Sequence, residues 1–331
     1  MHQTFATVLI CTYNRAERLR ETLRSIERLR PPDACVDIVV VDNGSTDHTP
    51  EVIRQASGSS RWPIRYCYEQ QQGKSFALNR GLQSVDGDIV AFTDDDILLG
   101  VEWLWQIVER FRNNGALQFV FGRVLPRWEI DPPREFLDPR LQSVWGPLGL
   151  LDHGERPLEH VDDGVRRRLP IGGNIAFRRT TLQAIGGWRE DLGKIDNSLI
   201  CGEDYEIFLR LKRRGLYRGL YDPSIVVWHF VPIAKLTHAY FRRWFYWRGK
   251  TMSRMAKDVY YPLDIDRCRR VAGVPRFLLR QFLEQCARWL RSCVTGDSVA
   301  RLVDEVHAIE FLGMFSEFSR HRPLRTSAEH R

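Results

Sequence analysis

The chain has 331 residues, 43% of them hydrophobic, and a formal net charge of +7. It is long enough for one large domain with a smaller addition, and too apolar to be a disordered chain. The charge is uneven: residues 235–331 carry 19 Lys and Arg against 10 Asp and Glu, a net of +9, which leaves −2 for residues 1–234.

In chain order, "MHQTFATVLI" enters a strand at once, without the basic flank, apolar core and cleavage site of a signal peptide. "TVLICTY" (7–13) reads as a strand, "RAERLRETLRSIERL" (15–29) repeats Leu19, Leu23 and Ile26 at helical spacing, and "VDIVVVD" (36–42) is again a strand. "IRYCYEQ" (64–70), "SFALNRGLQSV" (75–85) and "DIVAFTD" (88–94) continue the alternation. Strands that are nearly continuous Val and Ile runs are covered on both faces, so the expected sheet is mostly parallel and Rossmann-like, with helices on either side.

In such sheets ligands bind beyond the carboxyl ends of the strands. Polar residues collect there: Thr12, Tyr13 and Asn14; Asp42 and Asn43; then Asp94, Asp95 and Asp96. Three adjacent acids repel and are costly to desolvate, which points to a cation and so to a metal. No GxGxxG follows the first strand and no GxxxxGK[ST] occurs, so the dinucleotide and P-loop readings lose their support. Gly73 and Lys74 open a helix, where Lys74 either counters phosphate charge or is a solvated surface lysine, the second slightly favoured. "GEDYEIFLRLKRRG" (202–215) puts Ile207, Phe208 and Leu211 on one helix face, Glu203 and Asp204 in its first turn and Gly215 at its stop. The helix N-terminus favours the ionised carboxylates, which can accept a proton, although two acids capping a helix is the commoner reason for such a pair. "SIVVWHF" (224–230) is a strand carrying His229, either a packed core residue or a ligand.

"CTYNR", "VVVDNGSTD", "GKSFALNRGL", "FTDDD", "GGNIAFRR" (172–179) and "CGEDYEIFLRLKRRG" (201–215), in this order, resemble the family 2 glycosyltransferases of the GT-A fold over roughly residues 5–230. The resemblance implies that Thr12, Tyr13 and Asn14, with Arg15, line the base and ribose pocket and that Asp42 holds the base. It further implies that Gly73, Lys74 and Asn79 belong to the nucleotide-sugar site, that Asp94 faces the sugar nucleotide, and that Asp96, joined by His229, holds Mg²⁺ or Mn²⁺. Asp95 is assigned to ribose contact or local hydrogen bonding, and the Gly172, Gly173 and Asn174 turn lies beside the sugar. Asp204 becomes the general base and Glu203 its support, in an attack that inverts the anomeric centre. Cys11 stands where the family commonly has proline, at a position that shapes a turn.

Residues 125–170 are rich in Pro, Gly and Trp with little periodicity, as in a functional or mobile loop. Acceptor choice is expected there, with Trp128 and Trp145 as sugar-stacking candidates and packing the safer reading. After residue 232 "AYFRRWFYWRGKTMSRMAK" (239–257) and "VPRFLLRQFLEQCARWLRSCV" (274–294) read as basic, aromatic helices that either pack on the catalytic domain or contact an anionic membrane through 239–294. The last residues, "HRPLRTSAEHR", have the composition of a disordered end. The domains expected are 1–232, a GT-A catalytic domain with a nucleotide-sugar half at 1–124 and an acceptor half at 125–232, and 233–331, a basic helical extension.

Cys11, Cys35, Cys67, Cys201, Cys268, Cys286 and Cys293 are odd in number and form no CxxC pair, which fits a reducing compartment. No apolar run reaches the roughly 18 residues of a spanning helix. The expected location is cytoplasmic, with peripheral attachment to the inner membrane face as an option. No zinc-finger or RRM-type motif supports a nucleic-acid partner. The expected activity is metal-dependent transfer from a nucleotide-diphosphate sugar, a UDP-sugar first, to a carbohydrate or lipid-linked glycan acceptor. The alternatives are a nucleotidyltransferase of related fold, which needs a glycine-rich loop that "CTYNRAERLR" lacks, and a silent sugar-nucleotide-binding scaffold at the membrane, which predicts broken acidic motifs where both are whole.

Overall fold

The computed structural model describes residues 4–163, 169–194, 198–260 and 262–320, so the C-terminal end expected to be disordered lies outside the described residues. By compactness the chain forms two units. Unit 1 takes residues up to 132, 145–198 and 202–235; unit 2 takes 133–144, 199–201 and 236 onward.

Unit 1 opens with β1 (Phe5–Thr12), α1 (Ala16–Ile26), β2 (Cys35–Asp42), α2 (Thr49–Ser57), β3 (Ile64–Tyr68), α3 (Lys74–Leu82), β4 (Ile89–Asp94) and β5 (Ile97–Leu99). It continues with α4 (Trp103–Asn113), β6 (Phe119–Trp128), β7 (Leu158–Val161), β8 (Ile175–Arg178), α5 (Arg179–Ile185), α6 (Glu203–Arg213) and β9 (Arg218–Val231). These strands make one nine-stranded sheet ordered β3-β2-β1-β4-β8-β6-β9-β5, with β7 paired to β9. β3, β2, β1, β4, β6 and β9 run one way; β8, β7 and β5 run the other. Successive residues of β2 from Val36 to Asp42 are all buried, because both faces of the sheet are covered. This is the mixed α/β fold expected from the sequence. Several elements were not, among them α2, whose only buried apolar residues are Val52 and Ile53, α4, β6, β8, and β7, four residues inside the segment read as a loop.

Unit 2 contains α7 (His238–Arg254), α8 (Ala256–Val259), a short hairpin of β10 (Arg270–Val271) and β11 (Val274–Pro275), α9 (Arg276–Thr295) and α10 (Ser298–Arg320). The Thr237 hydroxyl caps α7, accepting from Tyr240 N at 3.1 Å. Residues 133–144, expected with the acceptor half, belong here: Phe136 is buried and its ring lies 5.4 Å from that of Phe241. Among the described residues no helix is long and apolar enough to cross a membrane.

Candidate active site

β4 delivers Asp94 at its carboxyl end, and the chain turns through Asp95 and Asp96 into β5. β5 pairs with β9 in a register that sets Ile97 opposite His229, and this brings Asp96 Oδ1 to 3.5 Å from His229 Nε2. The Arg15 guanidinium, just before α1, donates from Nη1 to Asp95 Oδ1 at 2.9 Å and to Asp96 Oδ2 at 2.7 Å. The Thr12 hydroxyl donates to Asp95 Oδ2 at 2.8 Å, so Asp95 ties the ends of β1 and β4 together. Burial lifts the Asp95 carboxyl to about 6 against the pull of Arg15. Burial also opposes ionisation of Asp96, but the hydrogen bond and charge of His229, with Arg15, outweigh it and hold that carboxyl well below the usual range.

A second acidic group stands at the start of α6. Lys74, the first residue of α3, places Nζ 3.2 Å from Asp94 Oδ1 and 3.7 Å from Glu203 Oε1. Burial works against the Lys74 charge, and Asp94, Asp204 and Glu203 overcome it, lifting the ammonium well above its ordinary value. Asp204 Oδ2 accepts from Gly172 N at 3.0 Å. A Cβ on Gly172 would lie 2.5 Å from Asp204 Oδ1, so only glycine lets the turn reach the carboxylate. Asp204 and Lys74 border a small apolar hollow lined by Leu78, Phe92, Phe177 and Phe208. Burial there raises the Asp204 carboxyl, with Lys74 opposing. Burial and then the Asp204 charge lift Glu203 to about 7, again against Lys74. Glu203 Oε2 is buried without a hydrogen-bond partner. Acids shifted toward neutrality are suited to exchanging a proton with a hydroxyl.

Thr12, Tyr13, Arg15, Gly73, Lys74, Asp94, Asp95, Asp96 and His229 line one cavity of about 320 Å³, in the size range of small-molecule sites. Two further lysines face it. Lys194 is set by a loop anchored on α3, where Ser75 Oγ donates to Leu192 O at 2.7 Å and Lys74 N to Lys194 O at 3.2 Å. Lys235 ends a 3₁₀ turn after β9. Among the described residues neither forms an ion pair, and burial lowers both ammonium groups, Lys235 to about 8. A desolvated cation without a counter-charge is an anion-binding group.

Residues 7–185, more than half of the chain, match the family described as Glycosyl transferase family 2. The chain belongs to that family. It is 25% identical over 265 residues to the glucosyl-dolichyl phosphate glucuronosyltransferase of Haloferax volcanii, covering 78% of this chain and 79% of that protein. Over 236 residues it is 23% identical to the poly-beta-1,6-N-acetyl-D-glucosamine synthase of Staphylococcus aureus, which covers 68% of this chain but only 50% of the synthase, so the chain spans half the length of that relative. The mannosyltransferase PcManGT from Pyrobaculum calidifontis, in complex with GDP-Man and Mn²⁺, has a TM-score of 0.62 at 20% identity, over 97% of this chain and 89% of that one, a likeness of fold. The protein is a glycosyltransferase by family, and its sheet is that of a GT-A enzyme.

Not every motif residue of this glycosyltransferase reaches the cavity. Asn14, at φ 50°, accepts through Oδ1 from Thr46 N at 2.7 Å and knits the β1 turn to the loop after β2. Asp42 accepts from Ser45 N at 2.8 Å and Tyr66 Oη at 3.0 Å. Asn79 is occupied by the Trp188 backbone, donating to its carbonyl at 2.9 Å and accepting from its N–H at 2.8 Å. Asn174 is buried, accepts from Trp103 Nε1 at 2.7 Å and donates to the Arg123 and Ile225 carbonyls. Its neighbour Gly173 lies against Asp94, where a Cβ would stand 3.0 Å from Oδ2. Lys74, slightly favoured from sequence as a solvated lysine, is instead engaged by the site's acids. Lys194 and Lys235 escaped the sequence reading: each is a lone lysine in a loop, outside every motif.

Proposed function

We propose that the protein is an inverting, metal-dependent glycosyltransferase that moves a sugar from a nucleotide-diphosphate donor to a hydroxyl of a glycan, lipid-linked or polysaccharide precursor. The observation that carries this reading is Lys74: one side chain touches Asp94, on the donor side, and Glu203, beside the base, so the two chemical ends of the reaction meet across it. UDP-sugars are the first donors to test. GDP-sugars belong in the same panel, since the PcManGT complex holds GDP-Man.

In this reading the acceptor hydroxyl gives its proton to the Asp204 carboxylate as its oxygen forms a bond to the anomeric carbon. Attack comes from the face opposite the diphosphate. The carbon–oxygen bond to the diphosphate breaks, the electron pair leaves with it, and the configuration inverts through a transition state with oxocarbenium character. Glu203 holds a proton near neutrality and keeps Asp204 company without competing for the acceptor. Arg15, Lys194 and Lys235 attract the departing diphosphate. Asp96 and His229 are the residues that would hold Mg²⁺ or Mn²⁺. The donor set fits: the Asp96 carboxylate oxygen stands 3.5 Å from the His229 imidazole Nε2, and both donor types are acceptable to Mn²⁺. Among the described residues no group of three or more His, Cys, Asp or Glu is arranged for a metal, so the remaining ligands would be donor phosphate oxygens and water. When bound, the ion supplies positive charge to the leaving group.

The test is nucleotide release from a panel of UDP- and GDP-sugars with Mn²⁺ and a glycan acceptor mixture. Release that Asp96→Ala abolishes is expected. No release from any donor, with Asp96→Ala indistinguishable from the parent, overturns the reading.

A further inference from the structure

Helix α9 carries apolar residues on two sides. Its buried residues are Leu278, Gln285 and Ser292, one every seven positions, and Gln285 Nε2 donates to the Asp304 carbonyl of α10 at 2.8 Å. On its outer side Leu283, Leu290 and Val294 are 67%, 59% and 88% exposed. With Ala287 they follow the i, i+4, i+7, i+11 spacing of a single helical strip. Arg276, Arg280 and Arg291 are exposed on the same side, and the helix carries four arginines against one glutamate. A helix that already packs Leu278 and Phe282 inward and still exposes Leu283, Leu290 and Val294 leaves an apolar strip for a partner.

We propose that this face of α9 docks in the plane of an anionic lipid bilayer, with Leu283, Leu290 and Val294 in the headgroup–acyl boundary and the guanidinium groups on lipid phosphates. The charge pattern selects this occupant. A second copy of the chain laid on this face would bring arginine against arginine, because Glu284 is the one acid that α9 carries. A neutral apolar groove would leave the arginines unused. Anionic lipid uses both halves of the face, and a strip of this length lies on a membrane rather than crossing it. The inference stands on unit 2 alone and is independent of the reaction proposed for the cleft.

Sedimentation of the full chain with vesicles tests it. The parent should bind vesicles of equal parts phosphatidylcholine and phosphatidylglycerol in a salt-sensitive way, and pure phosphatidylcholine far more weakly. The combined Arg276→Gln, Arg280→Gln, Arg291→Gln variant should lose roughly a hundredfold in affinity. The combined Leu283→Gln, Leu290→Gln, Val294→Gln variant should lose at least roughly tenfold. Melting temperatures should stay at the parent value, because all six side chains are exposed. Failure of the parent to bind either vesicle, binding by the leucine variant equal to the parent, or a dimer that this variant abolishes without any vesicle binding would each overturn the proposal.

Discussion

Glu310 on α10 and Glu203 on α6 are both shielded from water, yet their carboxyls shift in opposite directions. Burial opposes the charge at Glu310, but Arg248 and His307 outweigh it and hold the group below its ordinary value. Burial wins at Glu203, which rises to about 7. The contrast extends to the surroundings. Between α7 and α10 the acids are fully supplied with bases: Glu305 meets Arg242 at 3.0 Å, Glu310 meets Arg248 and His307, and Glu317 meets Arg254 at 3.0 Å and Lys250 at 3.9 Å. In the cleft of unit 1 the pairing is uneven: Arg15 is shared by Asp95 and Asp96, Lys74 by Asp94 and Glu203, and among the described residues Lys194 and Lys235 form no ion pair. Carboxylates supplied with bases in this way fasten two helices. Buried charges left over are waiting for a ligand.

The sharpest way to break that contrast is to remove a cleft acid while keeping its shape. Asp204→Asn should lower kcat by about 10²- to 10⁴-fold, the range for loss of a general base, while nucleotide affinity stays at the parent value. Transfer that survives the change would remove Asp204 from the proton path. In unit 2 the corresponding weak point is not a charge but the backbone approach beneath the ion pairs. A Cβ on Gly249 would lie 1.9 Å from the Glu310 carbonyl oxygen, and one on Gly313 the same distance from that of Tyr246. Gly313→Val should therefore cost about 3 kcal/mol or more, seen as a lower melting temperature and faster amide exchange in α7 and α10. Parent-like melting would mean the helices do not pack this closely.

These two regions also differ in how much of them the sequence discloses. β1, β2 and β4 are legible because burial on both faces demands mostly apolar runs, and the acids at their ends are conspicuous because they interrupt those runs. The helix of Glu203 and Asp204 is legible from Ile207, Phe208 and Leu211. The asparagines show what spacing hides: Asn14, Asn79 and Asn174 sit in the motifs, yet their side chains hydrogen-bond groups far away in sequence, the loop after β2 for Asn14, the Trp188 backbone for Asn79, and the Trp103 indole with the Arg123 and Ile225 carbonyls for Asn174. Lys194 and Lys235 are hidden for the opposite reason. A loop lysine is ordinary in sequence, and only the fold shows that it faces a cavity without a counter-ion.

If those two lysines hold phosphate oxygens, Lys194→Ala and Lys235→Ala should each weaken UDP or GDP binding roughly tenfold, as expected for a lost charge-assisted hydrogen bond, and leave the nucleoside unaffected. Equal losses for nucleoside and diphosphate would assign them to structure instead.

The mildest test concerns pH. Asp204 accepts a proton only when ionised, so the rate should rise with pH through the shared titration of Glu203 and Asp204 and level off above it, with the limb near the value of about 7 reached by Glu203. The Lys74 charge opposes that upward shift at both acids. Lys74→Gln should therefore move the limb to higher pH, and activity should recover at alkaline pH more fully than near neutrality. Stability must follow the same linkage with its own sign. A carboxyl raised in the folded state binds more protons folded than unfolded between its ordinary value of 4.5 and about 7, so Glu203 makes the protein less stable as pH rises across that window. Glu203→Gln should flatten the decline and melt above the parent at pH 8, by on the order of 2 kcal/mol. Glu310, held below its ordinary value by Arg248 and His307, gives no such gain, and Glu310→Gln should lower the melting temperature instead. If both glutamine variants moved the melting temperature the same way, uneven pairing would not be what distinguishes the cleft.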